Sequence, residues 1–267
     1  MTRRNEDDLK ILLEADADID KVKRWIVEIF YGRDPLNFHL TGDVFDWWME
    51  EALQNYRRAK DQKIRRLILN KILHTKEVVE AGLDIAVRTG EVDWDPFVVC
   101  TVCLLHDVGR FPQALLGSYS DKETNFDHAK EGARMIVNKD LPEMELMGID
   151  KGLVAEAVEV HSAISYTGKN IYPKLTRDSD KLALLRYMPY LMDDERYPRT
   201  KVNEKALAAY KEGRMIEHKD MLSRADVCLA WLCWQNDFNF EATGEAFSEE
   251  GIKEWVTSEL GKEGVEI

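Results

Sequence analysis

The residues with the clearest potential for chemistry are His106 and Asp107, which end the most hydrophobic segment of the chain. The preceding run from Phe97 to Leu105 contains no charged residue. Burying an imidazole and a carboxylate there costs several kcal/mol unless something compensates. A metal ion would compensate, because it supplies positive charge and binds both side chains directly. Gly109 then allows the backbone to turn tightly after the pair. The dipeptide alone, however, is a weak indication of a metal site.

Three further histidines share a helical face with apolar residues, namely His74, His128 and His161. His74, for example, precedes Val78 by four residues and Ile85 by eleven, so all three lie on one side of a predicted helix. Each of these histidines is therefore expected to point inward. Taken singly, an inward histidine is more often a satisfied core residue than a metal ligand.

A carboxylate, Asp180, completes the set of candidate ligands. It lies near the start of a predicted helix over 179–189, where it could simply belong to the first turn, and Asp178 is the better candidate for the N-cap. Taken together, five predicted helices each direct a ligand-type side chain toward the core. Neutral imidazole and carboxylate suit Fe, Mn, Co, Ni or Zn, so the combination predicts a transition-metal site.

The elements that must position these residues are predicted to be helices. Apolar residues recur at helical spacing along most of the chain, and seven prolines and fifteen glycines are few for 267 residues. The predicted helices are 19–31, 43–60, 63–89, 95–107, 127–138, 150–164, 179–189, 202–212, 219–236 and 248–260. The connections contain glycine and proline, including Gly32 and Pro35, Pro112, Pro142 and Pro173.

The domain organisation follows from the absence of any repeat or linker-like stretch in the sequence. We therefore predict an all-α fold in one compact domain over 1–267. Its metal-binding core covers about 63–190, and N- and C-terminal helices pack on that core. The aromatic content also permits a homodimer.

The charge of the chain restricts its partners. The formal net charge is -13, and an acidic surface repels the phosphate backbone, so a broad nucleic-acid interface is disfavoured. A small anionic substrate remains possible, because bound divalent cations invert the local field. No apolar run approaches the roughly 18 residues of a membrane span, and the start of the chain does not resemble a signal peptide. We expect a cytoplasmic protein without a membrane partner.

The four cysteines are expected to be structural. Cys100 and Cys103 form a C-x-x-C pattern, which can indicate zinc or redox chemistry. Their neighbours are apolar on every side and no second C-x-x-C is present, so burial in a helix is the favoured interpretation. Cys228 and Cys233 lie among leucine and tryptophan and are interpreted in the same way.

The order of the ligand-type residues, H…HD…H…H…D, resembles the signature of the HD-domain superfamily of metal-dependent phosphohydrolases. Local motifs resemble a branch of uncharacterised bacterial HD hydrolases. The motifs that carry this resemblance are His74-Thr75, Leu105-His-Asp-Val-Gly-Arg-Phe111, Phe126-Asp-His-Ala129, Arg177-Asp-Ser-Asp-Lys-Leu182 and Trp231-Leu-Cys-Trp-Gln-Asn-Asp-Phe-Asn-Phe240. The similarity spans most of the chain. Ser179 and Ala183 depart from the branch, in which alanine and a second aspartate are common at these positions.

The resemblance implies an HD-domain helical bundle, a dinuclear site and a hydrolase. One divalent transition metal would be bound by His74, His106, Asp107 and Asp180. The second would be bound by His128 and His161, with Asp107 as the bridging, catalytic carboxylate. A water or hydroxide that bridges the metals would attack the phosphorus of a nucleotide or another small phosphorylated metabolite.

Two cations adjacent to these ligands are candidates for binding the substrate. Arg110 could contact a phosphate through its guanidinium fork, and Lys181 is the neighbour of Asp180. A structural salt bridge is an equally good interpretation for both residues. The loops 111–127 and 162–178 carry polar residues suited to substrate specificity, although they could equally be ordinary surface loops.

Two other functions remain open. The same six ligands can hold a mixed-valent di-iron centre, so an HD-type oxygenase is the first alternative to hydrolysis. A non-catalytic HD binding module is the second, although such a module would be expected to have lost ligands, and this chain retains all six.

Overall fold

The computed structural model describes residues 18–31, 42–90, 92–163, 165–191 and 197–265. Over these residues the secondary structure is helical and contains no strand, which confirms the all-α fold class. The predicted connection at Gly32 and Pro35 lies outside the described residues. No helix in the described part of the chain combines the length and apolarity needed to cross a bilayer.

The α-helices, in chain order, are α1 (Ile19–Tyr31), α2 (Gly42–Arg58), α3 (Gln62–Arg88), α4 (Pro96–Leu105), α5 (Arg110–Ala114), α6 (Asp121–Thr124), α7 (His128–Asn138), α8 (Pro142–Leu146), α9 (Lys151–Val160), α10 (Ile171–Leu191), α11 (Glu204–Lys211), α12 (Arg224–Cys233), α13 (Glu241–Glu249) and α14 (Ile252–Lys262). Short 3₁₀ helices cover His218–Asp220 and Trp234–Asp237.

The chain divides into two compact units, Met1–Asp180 and Lys181–Ile267. In the first unit, α4 packs against α3 and α9, and α9 packs against α7. In the second unit, α12 packs against α11 and α14, and α13 packs against α14. One domain over the whole chain stays a prediction.

The centre of the first unit is α4, whose residues from Val98 to Leu105 are all buried. The helix begins where the carboxylate of Asp95 accepts hydrogen bonds from the amides of Phe97 and Val98, and Pro96 occupies the first turn, where no amide is needed. A helix that is apolar on every side must be covered on every side. This explains why α3 and α9 both pack on it, and these two helices carry or precede predicted ligands.

The predicted start of α10 was wrong. The helix begins at Ile171 and not at 179, so Asp178 and Asp180 lie in its interior and neither is an N-cap. Pro173 falls in the first turn of the helix, where a proline removes no intrahelical hydrogen bond. Pro112 and Pro142 likewise lie inside short helices, α5 and α8, that were not predicted. Proline therefore marked helix starts at these positions.

The expectation that the cysteines are buried is confirmed for all four, and none of them forms a disulfide. Cys100 and Cys103 are fully buried in α4, and burial raises the pKa of the Cys103 thiol. A thiol with a raised pKa is a poor nucleophile and a poor metal ligand at neutral pH.

In the second unit, Asp226 is the main polar element of the core. Its carboxylate accepts hydrogen bonds from the amides of Asn203, Leu222 and Ser223, and the Ser223 hydroxyl accepts one from the Asp226 amide. This reciprocal capping box starts α12 and satisfies a carboxylate that has no exposed surface.

Candidate metal centre

The six predicted ligands all lie in the first unit, and helix ends position most of them. His74 lies in the middle of α3, and Asp180 lies in α10. His106 and Asp107 directly follow α4, His161 directly follows α9, and His128 is the first residue of α7. The structure brings all six together into two adjoining groups.

The first group consists of His74, His106 and Asp180. Nε2 of His74 lies 2.9 Å from Oδ1 of Asp180 and 3.4 Å from Nε2 of His106. Nε2 of His106 lies 4.0 Å from the same carboxylate oxygen. Three potential ligand atoms therefore converge on one point.

The second group consists of Asp107, His128 and His161. The Nε2 atoms of His128 and His161 are 3.3 Å apart. Oδ1 of Asp107 lies 3.5 Å from the first and 3.3 Å from the second. These three side chains are buried, with at most 5% of each residue exposed.

Asp107 connects the two groups. While Oδ1 faces His128 and His161, Oδ2 lies 3.4 Å from Nε2 of His106 and 3.9 Å from Nε2 of His74. Oδ1 is also buried and accepts no hydrogen bond from the described residues, although Nε of Arg110 lies 3.5 Å away. A buried carboxylate oxygen without a hydrogen bond is costly, and a bound cation would remove that cost.

The spacing of these atoms fits metal coordination. Nitrogen and oxygen ligands bind transition metals at about 2.0–2.2 Å, so neighbouring ligands at tetrahedral or octahedral angles are about 2.8–3.6 Å apart. The closest separations within each group, from 2.9 to 3.5 Å, fall in that range.

The orientation of the imidazoles is a second indication of a metal. Nδ1 of His106 donates to the carbonyl of Cys103, and Nδ1 of His161 donates to the carbonyl of Val158, each at 2.7 Å. A carbonyl only accepts, so Nδ1 carries a proton in each ring and Nε2 is the ring atom that faces the group. This is the orientation that a ligand histidine needs in order to bind a metal through Nε2.

The electrostatics favour the metal-binding protonation states of His74, His128 and Asp107. Burial and, next, the neighbouring charge of Lys71 lower the pKa of His74 to about 4. Burial likewise lowers the pKa of His128 to about 4. Although burial alone would raise the pKa of Asp107, Lys71 and the adjacent imidazoles hold that pKa well below its usual range. At neutral pH, both histidines are neutral and Asp107 is ionised.

Asp121 is a partner of the site that was not predicted from the sequence. Its carboxylate lies 2.8 Å from Nδ1 of His128, and Arg110 and Gln113 donate to the same carboxylate. Hydrogen bonds of this kind fix the ring orientation of a ligand histidine. In the sequence, the only indication of such a role is that Asp121 lies in the predicted loop 111–127, whose polar residues suit substrate specificity.

Arg177, which was also missed as a positioning residue, lies in α10 and is almost fully buried. Its guanidinium donates to the carbonyls of Val160, His161 and Ala163, at the end of α9. A helix end leaves such carbonyls unsatisfied, and a cation there also complements the helix dipole. Arg177 thereby holds the backbone that carries His161.

The two predicted substrate-binding cations are both engaged in intramolecular contacts. Arg110 donates to Gln113, to the carbonyl of Tyr119 and to Asp121, and its Nε lies 3.5 Å from Oδ1 of Asp107. Lys181 donates to the carboxylate and the carbonyl of Asp237. A role in substrate binding stays a prediction for each.

Gly109 is required for a different reason from the one predicted. Its φ of -68° is available to any residue, so no special turn conformation is involved. Instead, a Cβ at this position would lie 2.1 Å from the carbonyl oxygen of His128 and 2.9 Å from the amide nitrogen of Gly132. The glycine lets the His106-Asp107 turn approach the start of α7, which brings Asp107 next to His128.

Substituting Asp121 with asparagine is expected to weaken metal binding by about 10- to 100-fold, because the orienting carboxylate of His128 loses its charge. Isothermal titration of the metal-free protein with Mn²⁺ measures the effect. Glu123→Gln is the matched control, since Glu123 lies on the same short helix and instead contacts Ser118. Equal affinities of the two variants would show that Asp121 does not support the metal site.

Comparison with known families agrees with this geometry. Residues 72–191 match the family model of the HD domain, a segment that contains all six predicted ligands. No curated protein and no solved structure matches the chain. HD domains typically occur in hydrolases that use divalent metals, and the His and Asp groups described above could hold such ions. Residues 72–191, which carry the paired His/Asp groups, thus match the HD domain.

Proposed function

We propose that the protein is a phosphohydrolase with a dinuclear metal site, acting on a nucleotide or another small phosphorylated metabolite. The observation that carries this proposal is the placement of Asp107, whose two oxygens each face one group of ligand atoms. One carboxylate can thus serve two ions, as a bridging ligand must.

Each ion has a proposed set of ligands. His74, His106, Asp180 and Oδ2 of Asp107 would hold the first ion, and His128, His161 and Oδ1 of Asp107 would hold the second. Bound divalent metals supply an activated water as the nucleophile and positive charge for the phosphoryl oxygens. We propose Fe, Mn, Co, Ni or Zn for both positions, because these metals accept imidazole and carboxylate ligands.

The residues of the chain itself set the charge of the loaded site. The neutral imidazoles of His74 and His128 provide ligands without adding negative charge. Only two of the proposed ligands are carboxylates, Asp107 and Asp180. Two divalent ions would therefore leave the site with a net positive charge. This surplus suits a phosphate ester, even though the chain as a whole is acidic.

Arg110 is positioned to bind a phosphoryl group. Its hydrogen bonds to Gln113 and Asp121 fix the guanidinium beside Asp107, so little side-chain entropy is lost on binding. Its buried Nε makes no hydrogen bond in the part of the chain that the structure describes and lies 3.5 Å from Oδ1 of Asp107. For Lys181, we propose a weaker, longer-range electrostatic contribution.

The proposal is tested by assaying protein loaded with Mn²⁺ or Co²⁺ against phosphomonoesters, phosphodiesters and nucleotides. We expect release of phosphate or of a phosphorylated product, and loss of that activity on chelation. Iron-loaded protein that consumes O₂ and shows a mixed-valent EPR signal, without hydrolysing any of these compounds, would contradict it.

The number of metals is tested by two histidine substitutions. His74→Ala removes a ligand of the first group only, and His128→Ala removes a ligand of the second group only. We expect each variant to retain about half of the metal bound by the unmodified protein, measured by elemental analysis after dialysis, and to lose hydrolysis.

His218→Ala is the control for this comparison, because His218 lies in a 3₁₀ helix of the second unit. It should retain the full metal content. If His128→Ala retained it as well, the site would hold one metal, bound by the first group.

A further inference from the structure

We infer that Lys71 is a movable cation of the active site, which neutralises Asp107 when no metal is bound and contacts the phosphoryl group of the substrate when the metals are bound. The inference rests on the proposed metal site. It concerns a residue for which neither the ligand pattern nor the family motifs suggest a role.

The position of Lys71 is the first reason. Its ammonium lies 2.6 Å from Oδ2 of Asp107, the shortest contact that this carboxylate makes with the described residues. Lys71 precedes His74 by three residues on α3, so the two side chains project from the same side of the helix. The structure therefore places a positive charge within the group of ligands.

The second reason is competition for one oxygen atom. Oδ2 is the oxygen of Asp107 that faces His74 and His106, at 3.9 and 3.4 Å. A metal bound by this group would use the same oxygen that now accepts from Lys71. Since a divalent ion and an ammonium repel each other at such short range, metal binding requires Lys71 to move.

The third reason is the environment into which the Lys71 ammonium would move. Lys71 is 17% exposed and has a flexible stem, so it can swing without unpacking the core. Asp107 is its one carboxylate partner in the part of the chain that the structure describes. Its ammonium and the guanidinium of Arg110 both lie near the ring of Tyr119, at 5.4 and 5.6 Å from the ring centre.

Tyr119 keeps the two cations on the same side of the site. Its hydroxyl donates to the carbonyl of Leu67, one turn before Lys71 on α3, and this bond anchors the ring against the helix. Two cations that share one aromatic ring beside Asp107 form a site for an anion. A phosphoryl group at the metals would be within the range of the Lys71 side chain.

The test is Lys71→Met, which removes the charge and retains most of the stem. Two affinities are measured by isothermal titration: that of the metal-free protein for Mn²⁺, and that of the Mn²⁺-loaded protein for inorganic phosphate. We expect Mn²⁺ to bind about tenfold more tightly and phosphate about tenfold more weakly than in the unmodified protein, the order expected for one charge-assisted hydrogen bond.

Lys76→Met is the matched control. Lys76 lies on the same helix, is 15% exposed and pairs with Glu80, so it loses the same charge outside the site. Both affinities should stay within about twofold of the unmodified protein, because the ion-pair partner of Lys76 is Glu80 and not a proposed metal ligand.

The opposite signs of the two changes make the test decisive. A variant with a damaged fold would bind both Mn²⁺ and phosphate more weakly, and that result would overturn the inference. Unchanged Mn²⁺ or unchanged phosphate affinity in Lys71→Met would overturn it too, while leaving the metal site intact. If the unmodified protein bound no Mn²⁺ or other transition metal, the proposed function would fail together with the inference.

Discussion

Asp107→Asn is expected to lower phosphohydrolase activity by on the order of 10³-fold or more and to reduce metal content at both positions. Oδ2 of Asp107 lies 3.4 Å from Nε2 of His106, and Oδ1 lies 3.5 and 3.3 Å from the Nε2 atoms of His128 and His161. An amide keeps the shape of the side chain, but it carries no charge and presents a donor to one of the two groups. Steady-state kinetics and elemental analysis of the dialysed variant measure the two effects.

Asp84→Asn is the control for this experiment, because Asp84 pairs with Arg88 on the surface of α3, away from the ligand groups. It should behave as the unmodified protein does. If Asp107→Asn retained hydrolysis, the measured activity would come from another site or from a contaminant, and the proposed role of Asp107 would be wrong.

Gly109→Ala is expected to cause the largest loss of stability, about 3 kcal/mol or more in the free energy of unfolding. The added Cβ would lie 2.1 Å from the carbonyl oxygen of His128, and backbone atoms cannot move aside as a side chain can. The turn and the start of α7 must therefore separate. Urea denaturation followed by circular dichroism measures the loss.

The same substitution should also weaken metal binding, because separation of the turn from α7 moves Asp107 away from His128. Gly261→Ala provides the comparison, since Gly261 lies in α14 with no atom near its added Cβ. Alanine there should be neutral or slightly stabilising. Equal free energies of unfolding for Gly109→Ala and Gly261→Ala would mean that the backbone at Gly109 can move away from α7 at little cost.

The candidate ligands could be predicted from the sequence because of their unusual surroundings. His106 and Asp107 end a segment without charged residues. Burying an imidazole and a carboxylate there costs free energy, and a bound metal ion is one of the few features that would offset that cost. The inward direction of His74 followed from the helical spacing of Val78 and Ile85, which are indeed fully buried. The same helical spacing of apolar residues along the chain predicted the all-α fold class.

The helix boundaries were less predictable, and α10 shows why. Pro173 indicated a connection, yet a proline in a first turn breaks no hydrogen bond, so the same residue fits a loop and a helix start. The error moved Asp180 from a helix interior to a helix start. Only the packed structure distinguishes the two, because the local preferences of the chain allow both.

The pair His106-Asp107 shows most clearly what the sequence determined and what the tertiary structure decided. The sequence determined that a polar pair ends a buried helix and that four other ligand-type residues point inward. It did not determine which oxygen of Asp107 faces which group, or that Lys71 contacts the same carboxylate. These contacts join residues far apart in the chain, so they depend on how α3, α4, α7 and α9 pack together. Helical spacing fixes only the direction of a side chain on its own helix, and the partner it meets is decided by the packing of the core.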